Sequence, residues 1–299
     1  MVESKSWKKW MAAWLVAMLM FPAVVVPETA KAEAVPGEVV VTLGDDLSPR
    51  EREEILERMD VVESEAEILT VTNDEEYLYL GEYISPEQIG NQALSSSKIT
   101  IAESGTGIDV TSDNINWVSD AMYANALITA GVEDADVYVT APFSVSGTGA
   151  LTGVIKAYEE AVDFDIPEEQ KDVAAEEMVK TGNLGDSIGE KEATELMTRI
   201  KEEVAQTNID SEDEMRELIQ RLAEELGITL SEEELNGLVS LFMRMKEIDI
   251  DWERVQNQIS NVRDNLGEYL ESEEAQGFIQ SFLDSLRRLF DSIRDFFRS

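Results

Sequence analysis

Two groups of residues in this chain have types and spacing that could do chemistry. The first lies in "APFSVSGTGALTGVIKAYEEA", residues 141–161, where Ser146, Gly147, Thr148, Gly149 and Gly153 stand between an extended run and a helical one. A strand followed by glycines and a helix start presents backbone N–H groups and the positive end of a helix dipole, which can hold an anion. The spacing is Gly147-x-Gly149-x-x-x-Gly153 with no lysine directly after the last glycine, so it fits neither the phosphate loop of nucleotide hydrolases nor the dinucleotide fingerprint. The expectation is a structural turn. The alternative occupant is a small anion or a peptide carboxylate; no nucleotide is expected. The second group is paired acids: Asp163 with Asp165, and Asp249 with Asp251. Neither pair sits in a calcium-loop pattern. Two carboxylates across a sugar can hydrolyse a glycoside, but with 63 acidic residues such pairs arise by chance. They read as solvated faces and helix starts. No catalytic residue, metal ligand or cofactor is assigned.

The elements that must hold these residues follow from pattern. Residues 38–44 (EVVVTLG), 67–72, 98–103, 107–112 and 136–142 are β-branched or alternating runs, and each reads as a strand. Gly105 and Gly107 between the third and fourth suggest a hairpin. Ser48 with Pro49 and Glu51 is a capping box with proline at the first helical position, and Ser85 repeats the same start. Apolar residues from Ser112 to Thr129 suit a helix ended by Gly131, and another helix runs from Gly149 to about Val162. From Pro167 no strand is expected. Helices begin near Glu168, Ser187, Ser211, Ser231 and Asp251, with a last one near Ser272. Ser211 and Ser231 open similar capping boxes, but two copies do not make a repeat. The polar, glycine-containing stretch 181–190 is the candidate linker. The fold expected is a small mixed α/β sheet with helices over residues 35–165, followed by an all-helical part over residues 166–299.

Composition excludes much. The chain has 299 residues, with 24 Lys+Arg against 63 Asp+Glu, for a net charge of -39, and neither cysteine nor histidine. Nucleic acid is not a partner to expect, since phosphate binding is driven by cationic residues. Thiolate nucleophiles, disulfides, Cys/His zinc sites and histidine-based triads are excluded by residue type. A metal, if one binds, is a hard oxygen-seeking ion.

The two ends differ from the acidic middle. Residues 1–34 carry Lys5, Lys8 and Lys9, an apolar run from Trp10 to Phe21, and small residues at Ala30, Ala32 and Ala34. This is a secretory signal peptide, with the mature chain starting near Val35; retention as an N-terminal anchor is the alternative. Residues 277–299 place Phe278, Phe282, Leu286, Phe290, Ile293 and Phe297 on one helical face, with arginines and aspartates opposite, net +1. Such a helix closes its own domain's core, lies in a membrane interface or docks on a partner.

The run "DVTSDNINWVSDAMYANALITAGVEDADVYVTAPFSVSGTGALTGVIKAYE", ending at Glu159, resembles the signature region of a family of uncharacterised exported proteins of Gram-positive bacteria that carry a domain of unknown function. The downstream "ITLSEEELNGLVSLFMRMKEIDIDWERVQNQI" and the Phe-rich end are similar to the same family. The resemblance implies export, an α/β portion followed by helices, and a role in or near the cell envelope. It supplies no catalytic residue. The function expected is therefore non-catalytic binding by a secreted or cell-surface protein, with membrane, envelope protein or wall polymer as partner. A carboxylate-dependent enzyme on wall polymer and a calcium-binding surface protein are the alternatives.

Overall fold

Alternation along the first strand sets both faces of the sheet. In β1 (Val39–Gly44), Val41 and Leu43 point to one side and pack on Ile55 and Leu56 of α1 (Pro49–Arg58) and on its C-cap, Met59. Val40 and Thr42 point to the other, as period-2 geometry requires. The structure, a computed structural model, describes residues 35–64, 66–248 and 250–260.

The sheet continues with β2 (Glu67–Val71), β3 (Ser96–Ile101), β4 (Ile108–Ile115) and β5 (Ala135–Val145), in the order β2-β1-β3-β5-β4. β1 pairs parallel with β2 and antiparallel with β3; β5 pairs antiparallel with β3 and parallel with β4. The hairpin expected around residues 105–107 does not form, because β5 inserts between β3 and β4. Gly105 and Gly107 still adopt positive φ, so the turn is real but joins non-neighbouring strands. The helix expected from Ser112 also starts later. β4 continues through a bulge at Asn114 (φ 62) to Ile115, and the helix begins behind the Ser119 cap.

Three helices lie between β2 and the last strand: α2 (Asn73–Leu80), the short α3 (Pro86–Ile89) and α4 (Asp120–Ala130). After β5 come α5 (Thr148–Val162), α6 (Glu168–Ile188), α7 (Glu190–Gln206), α8 (Glu212–Glu225) and α9 (Glu232–Glu247), and residues 252–260 are helical. No strand follows Val145 among the described residues. The chain thus has a small mixed five-stranded sheet in its N-terminal half and mostly helices in its C-terminal half.

Residues 181–188 are not a linker. They are the last turns of α6, broken only at Gly189. Gly182 allows the indole of Trp117 to lie directly on the helix, and Gly185 faces the backbone of Glu190. These glycines permit close packing, where sequence pattern suggested a break. One buried cluster runs from Val40 through Tyr123, Val154 and Met178 to Leu196, Phe242 and Ile259.

Candidate functional site

The glycine turn joins the end of β5 to α5, and three groups fix it. The Val118 N–H donates to Ser146 O (3.1 Å), the Asn116 N–H donates to Val145 O (2.9 Å), and the buried Tyr123 hydroxyl donates to Gly147 O (2.5 Å). Gly147 has φ +89, where side chains are strained, and a Cβ there would collide with the Tyr123 hydroxyl and Ile115. Ser146 Oγ and Thr148 Oγ1 are 3.3 Å apart. Gly147 has no side chain to cap α5. Gly153, one turn on, passes over the buried Thr42 and Ser97 hydroxyls, which share a 2.6 Å hydrogen bond.

Gly149 is where the turn meets a charge. A Cβ at Gly149 would collide with Oε1 of Glu76, which reaches in from α2. The local sequence explains the approach. Thr72 and Glu75 form a reciprocal capping box that starts α2, and Glu76 and Leu80, four residues apart, share its buried face. Glu76 is only 3% exposed. Its one hydrogen bond comes from Asn73 Nδ2 at 3.5 Å, the limit of such a bond. Burial, aided by the like charge of Asp46, pushes its carboxyl up to about 7 against that weak bond. Its neighbour Glu75 goes the other way. Desolvation there is outweighed by hydrogen bonds from Lys156 (2.6 Å) and Thr72, which hold the carboxyl below its ordinary value.

A cavity of about 200 Å³ opens over this carboxyl, lined by Glu76, Gln88, Gln92, Ser95, Ser146 and Thr148, with Gly149 and three aliphatic side chains. Three of the turn residues singled out by the sequence, Ser146, Thr148 and Gly149, are therefore in one lining, while Gly147 and Gly153 support it from behind. A carboxyl near neutrality can move a proton. Glycoside hydrolysis requires a second carboxylate across the substrate; the nearby acid, Asp46, is held by the Ala93 N–H at 2.8 Å. An ionised Glu76 also opposes an anion at this helix start, despite the dipole.

Other buried charges are paired, although Glu177 Oε1, Thr194 Oγ1 and Gln258 Oε1 make no hydrogen bond. Glu177 and Lys201, 0% and 1% exposed, pair at 2.8 Å between α6 and α7, and Thr129 and Asn125 of α4 supply their remaining partners. Arg244 of α9 binds Asp172, Glu176 and the Tyr83 hydroxyl. Asp163 and Asp165 are exposed, and Asp251 caps the 252–260 helix through the Arg254 N–H, 2.9 Å. Asp249, the N-terminal segment 1–34, and the stripe Phe278, Phe282, Leu286, Phe290, Ile293 and Phe297 lie outside the described residues. Among the described residues, no group of three or more acids could hold a metal, and no helix is long and apolar enough to cross a membrane.

Residues 43–262 match the family model described as "Protein of unknown function (DUF1002)". The chain belongs to the DUF1002 family. It is 45% identical over 292 residues to "Uncharacterized protein YpuA" of Bacillus subtilis (strain 168), covering 97% of this chain and 99% of that protein. No solved structure matches. Every residue lining the Glu76 cavity falls inside the DUF1002 match.

In this DUF1002 chain the resemblance read from the sequence, to a family of unknown function, is correct. Sequence reasoning missed Glu76, Gln88, Gln92 and Ser95. A signal for Glu76 was present: it stands four residues before Leu80, so any amphipathic α2 that buries Leu80 also buries this acid.

Proposed function

We propose that this DUF1002 protein is an exported, non-catalytic binding protein that works at the cell envelope and takes a small polar ligand in the cavity over Glu76. The observation that carries this reading is Glu76 itself, a desolvated carboxyl with no cationic partner lining an open cavity. Holding it ionised costs about 3 kcal/mol at one unit or more above its pKa, by the ~1.4 kcal/mol per pKa unit relation. A buried acid that costs stability beside a cavity is a mark of function. Export is supported by the basic, apolar and A-x-A segments of residues 1–34. The apolar stripe of residues 277–299 suits a membrane surface or an envelope partner. In this arrangement residues 35–165 carry the ligand site and the helices of residues 166–260 supply the platform.

Two experiments test the reading. Fractionation of a Gram-positive culture producing the full chain should find it outside the cytosol, with a processed N-terminus near Val35; an unprocessed cytosolic protein rejects export. The full chain and a chain ending at Gln276 are then sedimented with purified cell wall and, separately, with liposomes. Wall pelleting that Glu76→Gln weakens supports the cavity. Lipid pelleting by the longer chain alone assigns the stripe to a membrane surface. The raised Glu76 carboxyl favours one second reading, a carboxylate-dependent enzyme on wall polymer. That reading expects soluble wall fragments to be released by the wild-type chain and not by Glu76→Gln.

A further inference from the structure

The ligand chemistry can be taken further by asking what neutralises Glu76. A buried carboxylate must be paired or protonated. The cavity lining contains no lysine or arginine, and Asn73 offers only a long bond. The polar residues lining the cavity with Glu76 are Gln88, Gln92, Ser95, Ser146 and Thr148, all able to accept hydrogen bonds, with Gln88 Oε1 also taking long bonds from the Ser85 N–H and hydroxyl at 3.5 and 3.4 Å. An acceptor-rich cup around one anion is complementary to a group with several donors and a positive charge. An ammonium, with three donors and no acceptor, is that group. A hard dication is served less well, since calcium and magnesium take six or more oxygens with several charges among them. The cavity of about 200 Å³ is below the ~300–1,000 Å³ that drug-sized ligands occupy, so the guest is small. The net charge of -39 draws cations toward the molecule and repels anions.

We propose that the cavity binds the ammonium group of a small amine-bearing ligand, with Glu76 as its counter-charge and the surrounding glutamines and hydroxyls as its hydrogen-bond acceptors. This inference rests on the reading of the cavity as the ligand site. The ammonium takes the place of the proton that Glu76 otherwise holds. The groups facing Glu76 are Asn73 on its own helix, Asp46 after β1, and Tyr123 on α4, whose phenol burial pushes well above its ordinary value. Tyr123 therefore stays neutral, and Glu76 is the group that titrates near neutrality. Affinity rises with pH as Glu76 gives up its proton. For a carboxyl at about 7, the ionised fraction grows about tenfold between pH 6 and pH 8.

The test follows the Glu76 side-chain carboxyl by carbon NMR in the full chain, titrated with D-alaninol. Propane-1,2-diol, with a hydroxyl where D-alaninol has its amine, and glucose are the neutral controls. Saturable binding of D-alaninol is expected, about tenfold weaker at pH 6 than at pH 8, with neither control binding. In Glu76→Gln, amide spectra should show an intact fold and no D-alaninol binding. If glucose or the diol moves the Glu76 resonance and D-alaninol does not, the cavity is a ligand site for neutral groups and the ammonium inference is wrong. Equal D-alaninol affinity at the two pH values, or undiminished binding to Glu76→Gln, also overturns it. If no probe moves the resonance, the inference and the reading of the cavity fall together.

Discussion

Glu76 and Glu177 are both buried, at 3% and 0% exposed, and the molecule answers their charges in opposite ways. Glu177 lies between helices, with Lys201 Nζ 2.8 Å from its Oε1 and the Thr129 hydroxyl 2.5 Å from its Oε2. Lys201 in turn donates to Asn125 O at 2.7 Å. Burial lowers the lysine's pKa against the pull of Glu177. In that cluster the charge is answered by an opposite charge, even though Glu177 Oε1 makes no hydrogen bond. Glu76 lies where α2 meets the start of α5, with one long hydrogen bond, a like charge nearby and an open cavity above. Burial alone therefore does not mark a functional acid. The distinguishing feature is burial without a partner, next to space.

The contrast breaks most decisively at the paired cluster. Lys201→Met leaves Glu177 buried and uncompensated, and should destabilise the protein by about 3–5 kcal/mol. The double variant Lys201→Met with Glu177→Leu should recover most of that loss, because two apolar groups of similar volume need no pairing. Urea unfolding of both singles and the double closes the cycle. A Lys201→Met cost below about 1 kcal/mol would mean water reaches the pair, and the two glutamates would then differ less than their burial indicates.

Glu76→Gln should move stability the other way. The folded carboxyl titrates at about 7 and the unfolded one near 4.5. Between these values the folded state binds more protons than the unfolded state, so stability falls as pH rises through the window. Removing the acid should therefore stabilise by about 3 kcal/mol at pH 8 and by less than ~0.5 kcal/mol at pH 4. A gain of equal size at both pH values would trace to packing, and would remove the charge-based contrast with Glu177.

The sequence made parts of this visible and hid others for identifiable reasons. β1 and β5 were legible because Val39 to Val41 and Val137 to Val139 sit in short β-branched runs, and the caps at Ser48, Ser85, Ser211 and Ser231 stand where the capping grammar placed them. Strand order was not legible. Gly105 and Gly107 mark a tight turn whether the flanking strands pair with each other or with a third strand. Gly182 read as flexible because a glycine placed to admit an indole looks like one placed to break a helix. The turn at 146–149 was found from its glycines, but the acid that gives it a chemical character was not. Among 63 acidic residues, the spacing of Glu76 to Leu80 is a weak mark until three-dimensional burial separates it from Glu75 beside it.

The link between turn and acid can be tested from the turn's side. Gly149→Ala places a methyl group against Glu76 Oε1 and Cδ, so the carboxyl end of that side chain has to swing aside. Overpacking of this kind costs about 1–3 kcal/mol. Glu76→Ala removes the obstructing atoms, so the same Gly149→Ala change in that background should cost clearly less. A cycle with no coupling would show that Gly149 answers to the backbone alone, and the cavity floor would have to be redrawn.

The smallest effect comes from a third buried polar group, this one uncharged. Thr42 Oγ1 and Ser97 Oγ share a 2.6 Å hydrogen bond on adjacent strands, beneath Gly153. Thr42→Val keeps the shape and leaves the Ser97 hydroxyl, 0% exposed, without its partner. The loss should be about 1 kcal/mol, the usual net value of a buried neutral hydrogen bond, and it should not vary with pH. Set beside Lys201→Met and Glu76→Gln, it separates the cost of leaving a dipole unpaired from that of leaving a charge unpaired. If Thr42→Val matched the charged variants in size, desolvation of polar groups in general would account for the stability data. Glu76 would then lose its standing as a buried acid whose missing partner points to a ligand.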